Sequence, residues 1–85
     1  YLIIEVTDTS PQREHDLKAK DYASSKIADY WLLDVNIRRL YVLREPTQEG
    51  YQSKLALSES GIISPLHFPN LSIAVREMLP PVSAQ

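Results

Sequence analysis

Glu5 is the residue whose type and surroundings most suggest chemistry, because it is a carboxylate inside the apolar run Leu-Ile-Ile-Glu-Val at residues 2–6. Burying a carboxylate there is unfavourable unless a cation or several hydrogen-bond donors pair with it. A hard divalent cation such as Mg²⁺ is one such partner, since it prefers carboxylate and carbonyl oxygens. The alternative places Glu5 at the end of a strand, exposed or paired with a basic side chain. Spacing alone does not separate the two.

Lys18 is the second candidate, because on a helix it shares a row with Tyr22 and Ser25 at the border of the apolar face. A lysine there could pack its stem on the core and direct its ammonium towards Glu5. In a phosphodiesterase that ammonium would stabilise charge growing on the phosphate or orient the attacking water. The alternative is a surface lysine paired with Glu14, four residues earlier, which is the commoner situation on helices.

The other polar and aromatic candidates are weaker. His15 and His67 have neither a nucleophile-elbow pattern nor metal-ligand spacing, so surface or loop positions are expected. The aromatic pair Tyr30 and Trp31 is expected in the core. Three arginines near a predicted hairpin could contact a phosphate backbone, although such residues commonly form a solvated edge. They are Arg38, Arg39 and Arg44.

The hydrophobic pattern of the first third predicts a β-strand, an α-helix and a second strand. Residues 2–6 predict a buried central strand, because apolar side chains occupy both faces. Turn-forming residues end it at 7–11. A helix is predicted over about 13–27, with one apolar face, and residues 30–34 predict an interior strand. The shared helix face consists of Ala19, Tyr22, Ala23 and Ile27.

The remainder predicts antiparallel structure. A strand over 39–44 should pair with 30–34 through a tight turn, with Leu40, Val42 and Arg44 on one face and Tyr41 and Leu43 on the other. An edge strand at 51–57, a loop at 58–69 and a short strand-to-helix or helical element at 71–79 follow. The expected class is mixed α/β. A doubly wound nucleotide fold is excluded, since neither glycine lies in a phosphate-binding turn.

Composition sets the outer limits. Eighty-five residues form one small domain, 44% hydrophobic and 24% charged. A net charge of −2 argues against a purely electrostatic nucleic-acid binder but not against a nuclease. The lack of cysteine excludes disulfides and thiolate metal sites, and no apolar run approaches membrane-spanning length. A cytoplasmic protein with no membrane partner is expected. Because Tyr1 opens directly into an apolar run, we expect a fragment whose first strand lacks a neighbour.

Seven segments, in this order and spacing, resemble the bacterial putative restriction endonuclease family of the PD-(D/E)XK nuclease superfamily. They are residues 2–6, 8–10, 18–23, 27–34, 40–46, 50–51 and 68–73. The resemblance implies a restriction-endonuclease-like mixed sheet with a βαβ core followed by an antiparallel hairpin. It also implies hydrolysis of phosphodiester bonds with a divalent metal, Mg²⁺ or Mn²⁺, and DNA as partner.

The resemblance also implies roles for individual residues. Glu5 matches the second metal-binding carboxylate, and Lys18 matches a lysine that this family supplies from the following helix, in front of Tyr22. Lys20 is the fallback lysine. Glu14 falls where relatives often have an aspartate. These five residues are the candidate site, with Glu5 and Lys18 catalytic and Glu5 the metal ligand.

Two departures from the superfamily pattern affect what this chain can do. The general motif places lysine two residues after the second carboxylate, where this chain has Thr7. The first metal-binding aspartate would lie upstream of Tyr1. Residues 1–80 are therefore expected to be the C-terminal, N-terminally truncated part of the domain, with 81–85 a tail, and the fragment is expected to be inactive by itself.

The alternative function is a non-catalytic relative with the nuclease fold that binds DNA or forms a homodimer. A pure binder has no need of a carboxylate within Ile-Ile-Glu-Val, which favours the enzyme. A small-molecule or cofactor domain is not supported, because the sequence has no glycine-rich loop, no cysteine and no histidine cluster.

Overall fold

A computed structural model describes residues 2–8 and 12–81, with the side chains of all of these except 12–14. The elements, in chain order, are β1 (Leu2–Thr7), α1 (Gln12–Ser24), β2 (Asp29–Asp34), β3 (Arg39–Thr47), β4 (Gly50–Ser58), β5 (Ile62–Ile63), β6 (Ile73–Ala74) and α2 (Val75–Met78). Within these ranges no helix is long and apolar enough to cross a membrane.

The main sheet has four strands in the order β1-β2-β3-β4. β1 runs parallel to β2, with Glu5 opposite Leu32, and α1 connects the two strands as predicted. β2 pairs with β3 and β3 with β4, both antiparallel. β5 and β6 form a separate antiparallel pair. The mixed α/β class is confirmed, and the arrangement is consistent with a restriction-endonuclease-like fold.

The sheet has a hydrophobic cluster on each face. Trp31, Leu33, Leu40 and Val42 form one cluster with residues of β5 and α2. The other cluster packs against α1 and contains Tyr30, Leu32 and Leu43, with Tyr22 and Tyr51 at its border. The alternation predicted for β3 is therefore confirmed, because Leu40 and Val42 lie opposite Tyr41 and Leu43.

Helix α1 ends earlier than residue 27. The N–H of Ile27 donates to the carbonyl of Tyr22 and that of Lys26 to Ala23, at 3.0 and 2.9 Å. Lys26 has a φ of 62°. This pairing with a left-handed residue is a Schellman motif, which terminates a helix after its last α-helical turn. The motif leaves Tyr22 in the last full turn of α1, facing the sheet.

Two further predictions differ from the structure. β1 is an edge strand of the described sheet rather than a central one, and Ile4 and Val6 are 47% and 65% exposed. Its apolar pattern indicated burial on both faces, but in the described residues only the face towards α1 is covered around Glu5. The predicted loop at 58–69 contains β5, because Ile63 packs into the core beside Val75.

Asp29, at the start of β2, connects the sheet to the loop that follows β5. It is 1% exposed and accepts hydrogen bonds from Trp31 Nε1 at 2.7 Å and Arg44 Nε at 2.9 Å. The backbone N–H of Leu66 donates to its other oxygen at 3.0 Å, and Arg44 also donates to the Ser64 carbonyl at 2.6 Å. The carboxylate is thus fully occupied by structural partners.

Candidate active site

The carboxylate of Glu5 lies on the α1 side of β1. Its neighbour across the parallel ladder is Leu32, a member of the cluster under α1. The Glu5 side chain is 24% exposed, so it is reachable from solvent although it borders the core. The structure places this carboxylate where a helix and two strands meet.

Helix α1 brings two groups to this carboxylate. The Nζ atom of Lys18 lies 3.5 Å from Oε1 of Glu5, and the hydroxyl of Tyr22 donates to Oε2 at 2.7 Å. Lys18 and Tyr22 are four residues apart, so one helical row delivers both. Lys18 remains 56% exposed, which leaves its ammonium accessible to an anionic ligand.

The third donor comes from β2. The hydroxyl of Tyr30 donates to Oε1 of Glu5 at 3.2 Å, and the Tyr30 side chain is fully buried. Its ring contacts that of Tyr22 edge-on, with the centroids 4.9 Å apart, and lies 6.1 Å from the ring of Tyr51. Tyr51 is itself fixed by a 2.6 Å hydrogen bond to the Ile27 carbonyl. The aromatic cluster thus forms one wall of the site.

These contacts favour an ionised Glu5. Partial burial, the largest single influence, raises the pKa of its carboxyl, but the hydrogen bond from Tyr22, the charge of Lys18 and the hydrogen bond from Tyr30 together lower that pKa below its usual value. The hydrogen bond to Glu5 raises the pKa of the Tyr22 hydroxyl, and burial raises it further. Burial and then the charge of Glu5 raise the pKa of Tyr30. The site therefore holds a carboxylate between neutral phenols.

Glu5 could contribute part of the ligand set of a hard cation. A carboxylate offers about four acceptor positions, of which Tyr22, Tyr30 and Lys18 occupy three. Glu5 can therefore supply one ligand oxygen. Among the described side chains, those of residues 2–8 and 15–81, no group of three or more acidic or histidine residues could hold a metal ion. The other ligands would have to be water, phosphate oxygens or another carboxylate, a combination that Mg²⁺ commonly accepts.

The remaining site candidates are distributed differently. Lys20 lines a groove with Tyr51 and Lys54 on the β4 side of α1, whereas Glu5 lies on β1 at the opposite edge of the sheet. Lys18, and not the fallback Lys20, is thus the lysine that contacts Glu5. The side chain of Glu14 lies outside the described residues. The catalytic roles of Glu5 and Lys18 and the part of Tyr22 in the site stay predictions.

The arginines are engaged elsewhere. Arg44 belongs to the buried Asp29 cluster, and Arg38 pairs with Glu59 at 3.0 Å and donates to the Pro80 carbonyl at 2.8 Å. Arg39 is exposed at the start of β3. Neither Arg44 nor Arg38 is therefore simply a solvated edge residue, because each closes a tertiary contact.

The two histidines also differ from each other. His67 lies in the exposed loop after β5, as expected. His15 lies on α1 and is partly buried, so the expectation of a surface or loop position is wrong for it. Its Nδ1 atom is buried without a hydrogen-bond partner in the described part of the chain.

The sequence as a whole matches a known family model. The family model Uma2, described as putative restriction endonuclease, matches residues 1–76 of the 85. The chain belongs to the Uma2 family. A search of curated proteins finds no match. Every described contact of Glu5 lies within the region that the Uma2 model covers.

Sequence reasoning missed two residues of this Uma2 chain. Tyr30 was predicted only as a core residue, yet its hydroxyl donates to Glu5. The sequence offered one indication of this contact, because a buried tyrosine hydroxyl usually has a hydrogen-bond partner. Asp29 was not singled out at all. Its signal was Arg44, which lies directly opposite Asp29 once β2 and β3 are paired.

Proposed function

We propose that this Uma2 protein is a metal-dependent endonuclease that hydrolyses phosphodiester bonds, with DNA as its substrate. The observation that carries the proposal is the convergence of a partly exposed, ionised carboxylate and an exposed ammonium at 3.5 Å. Family membership adds independent support for a nuclease. Glu5 would hold a divalent cation, Mg²⁺ or Mn²⁺, through its remaining acceptor position.

The bound cation would supply Lewis-acid stabilisation of the phosphate and a more acidic attacking water. The chain's own residues act around it. The hydroxyls of Tyr22 and Tyr30 donate to the Glu5 carboxylate and orient it. The Lys18 ammonium, which pairs with Glu5 and belongs to a side chain that is 56% exposed, would stabilise the negative charge that grows on the phosphate. Because no group of three or more acidic or histidine side chains surrounds Glu5 in the described part of the chain, we expect cleavage to require at least one further carboxylate ligand.

Plasmid cleavage by the intact protein tests the proposal. Supercoiled DNA should be nicked or linearised with Mg²⁺ or Mn²⁺ and left intact with a chelator, and Glu5→Gln should abolish the reaction. A matched carboxylate control is Glu59→Gln, which removes an exposed charge that pairs with Arg38. Metal-dependent cleavage that survives in Glu5→Gln would overturn the assignment. The same assay with single-stranded RNA in place of the plasmid shows whether the substrate is DNA or RNA.

A second candidate is a non-catalytic relative that binds DNA or forms a homodimer. It is favoured by the exposed pair Ile4 and Val6 on β1, which is an edge strand of the described sheet. Unpaired edges with apolar side chains are prone to pair with another chain. Retention of DNA without cleavage, or a stable dimer in light scattering that Val6→Lys dissociates, would support this candidate instead.

A further inference from the structure

We propose that Tyr30 is a positioning residue for the metal ligand Glu5. By donating to Oε1 beside Lys18, it fixes the carboxylate so that Oε2 presents the open acceptor position to a divalent cation. This inference rests on the proposed function, since it assigns the ligand oxygen and the residue that orients it.

The division of donors between the two oxygens carries the proposal. Oε1 accepts from Tyr30 at 3.2 Å and lies 3.5 Å from the Lys18 ammonium. Oε2 accepts from Tyr22 alone, at 2.7 Å. With about two acceptor positions on each oxygen, Oε1 is filled and Oε2 keeps one. The two oxygens of an ionised carboxylate are chemically equivalent, so the donors determine where the open position lies. Tyr30 and Lys18 fill one side of the carboxylate, and the open position is on the side of Tyr22.

Tyr30 is the most rigidly held of the three donors. Its side chain is 0% exposed, and it lies on β2, which is hydrogen-bonded to a strand on each side. The rings of Tyr22 and Tyr51 confine it, at 4.9 and 6.1 Å between centroids. Lys18, in contrast, is more than half exposed and has four rotatable side-chain bonds. A fixed phenol orients a carboxylate better than a mobile ammonium can, and outer partners of this kind hold ligand groups in metal sites.

A role in packing alone is the competing explanation, because a fully buried tyrosine needs some acceptor for its hydroxyl. The chain offers a matched control for it. Tyr51→Phe also removes a hydroxyl from the same aromatic cluster, and it breaks a shorter hydrogen bond, 2.6 Å to the Ile27 carbonyl, without touching Glu5. Effects common to Tyr30→Phe and Tyr51→Phe are therefore structural, and effects confined to Tyr30→Phe report on Glu5.

The experiment combines two readouts on the intact protein. The first is the side-chain carboxyl ¹³C resonance of Glu5, identified by its loss in Glu5→Gln. We expect it to shift and broaden in Tyr30→Phe and to stay in place in Tyr51→Phe. The second is the affinity for Mn²⁺, measured by the paramagnetic broadening of nearby resonances, which Tyr30→Phe should weaken roughly 10- to 100-fold.

A Glu5 resonance that responds equally to both phenylalanine substitutions would overturn the positioning role, even if Glu5→Gln abolishes Mn²⁺ binding. Unchanged Mn²⁺ affinity in Tyr30→Phe, with binding still dependent on Glu5, would overturn it as well. If Mn²⁺ binds equally well to Glu5→Gln, the proposed function fails instead, and the carboxyl resonance reports separately whether Tyr30 orders Glu5. The two failures are thus distinguishable.

Discussion

The ammonium of Lys18 lies 3.5 Å from the Glu5 carboxylate, although one residue belongs to helix α1 and the other to strand β1. The contact adds little to the stability of the fold, because a pair whose lysine is more than half exposed stabilises by at most about 1 kcal/mol. Lys18 can therefore be altered without unfolding the protein.

The Asp29 cluster, in contrast, is structural, and its loss should be costly. Asp29→Ala leaves the Arg44 guanidinium and the Trp31 N–H without their carboxylate, so we expect the free energy of unfolding to fall by about 3–5 kcal/mol. Arg38→Ala, which breaks a partly exposed pair with Glu59 and a hydrogen bond to the Pro80 carbonyl, should reduce it by about 1 kcal/mol. Urea unfolding followed by Trp31 fluorescence measures both. Equal losses in the two variants would contradict the structural role of Asp29.

The Asp29 cluster also marks where sequence reasoning ends. Periodicity predicted β2, β3 and the opposite faces of Leu40 and Tyr41, because side chains alternate strictly along a strand. The partner of Asp29 depends on the hairpin register, and a shift of one residue would turn Arg44 to the other face. The pattern of residues 29–44 alone does not fix that register.

The candidate site shows the same limit. Lys18 could be placed beside Glu5 from helical spacing and from a family resemblance, since both residues lie in recognisable segments. The contact between Tyr30 and Glu5 depends on the parallel register of β1 and β2, which sets Ile3 opposite Tyr30 and so puts Glu5 within reach of the hydroxyl. In the described sheet β1 has a neighbour on one side only, as expected for the first strand, and Ile4 and Val6 are more exposed than their apolar pattern alone predicts.

Alkaline pH should destabilise the protein through Tyr30, which is buried, and Tyr51, which is partly buried. Burial, followed by the charge of Asp29, raises the pKa of Tyr51 from 10.0 to about 12, and the pKa of Tyr30 is raised as well. A raised pKa means that the folded state holds the phenol proton more tightly. This contribution to stability is complete below about pH 10 and is lost as pH rises towards about 12. Thermal melts across this range should show a falling Tm, with a smaller fall in Tyr51→Phe. A Tm that is flat from pH 10 to pH 12 would contradict the burial of these phenols.

Lys26 should be better replaced by glycine. Its φ of 62° is the left-handed conformation, which strains a residue with a Cβ, so Lys26→Gly should raise the free energy of unfolding by about 1 kcal/mol or somewhat less. Lys20→Gly, in the interior of α1, should lower it by about 1 kcal/mol. Chemical denaturation of the two variants provides the comparison. Destabilisation by both would show that Lys26 makes a contact that outweighs its backbone strain.

The most direct test of the account is the rate of metal-dependent DNA cleavage by Lys18→Ala and Lys20→Ala in the intact protein. The two lysines lie two residues apart on α1, but only Lys18 contacts Glu5, while Lys20 lines the groove beside β4. We predict that Lys18→Ala lowers kcat by about 10²–10³, the usual effect of removing one group that stabilises transition-state charge, while Lys20→Ala cleaves at nearly the original rate. Equal rates in the two variants would contradict the assignment of this site to phosphodiester cleavage.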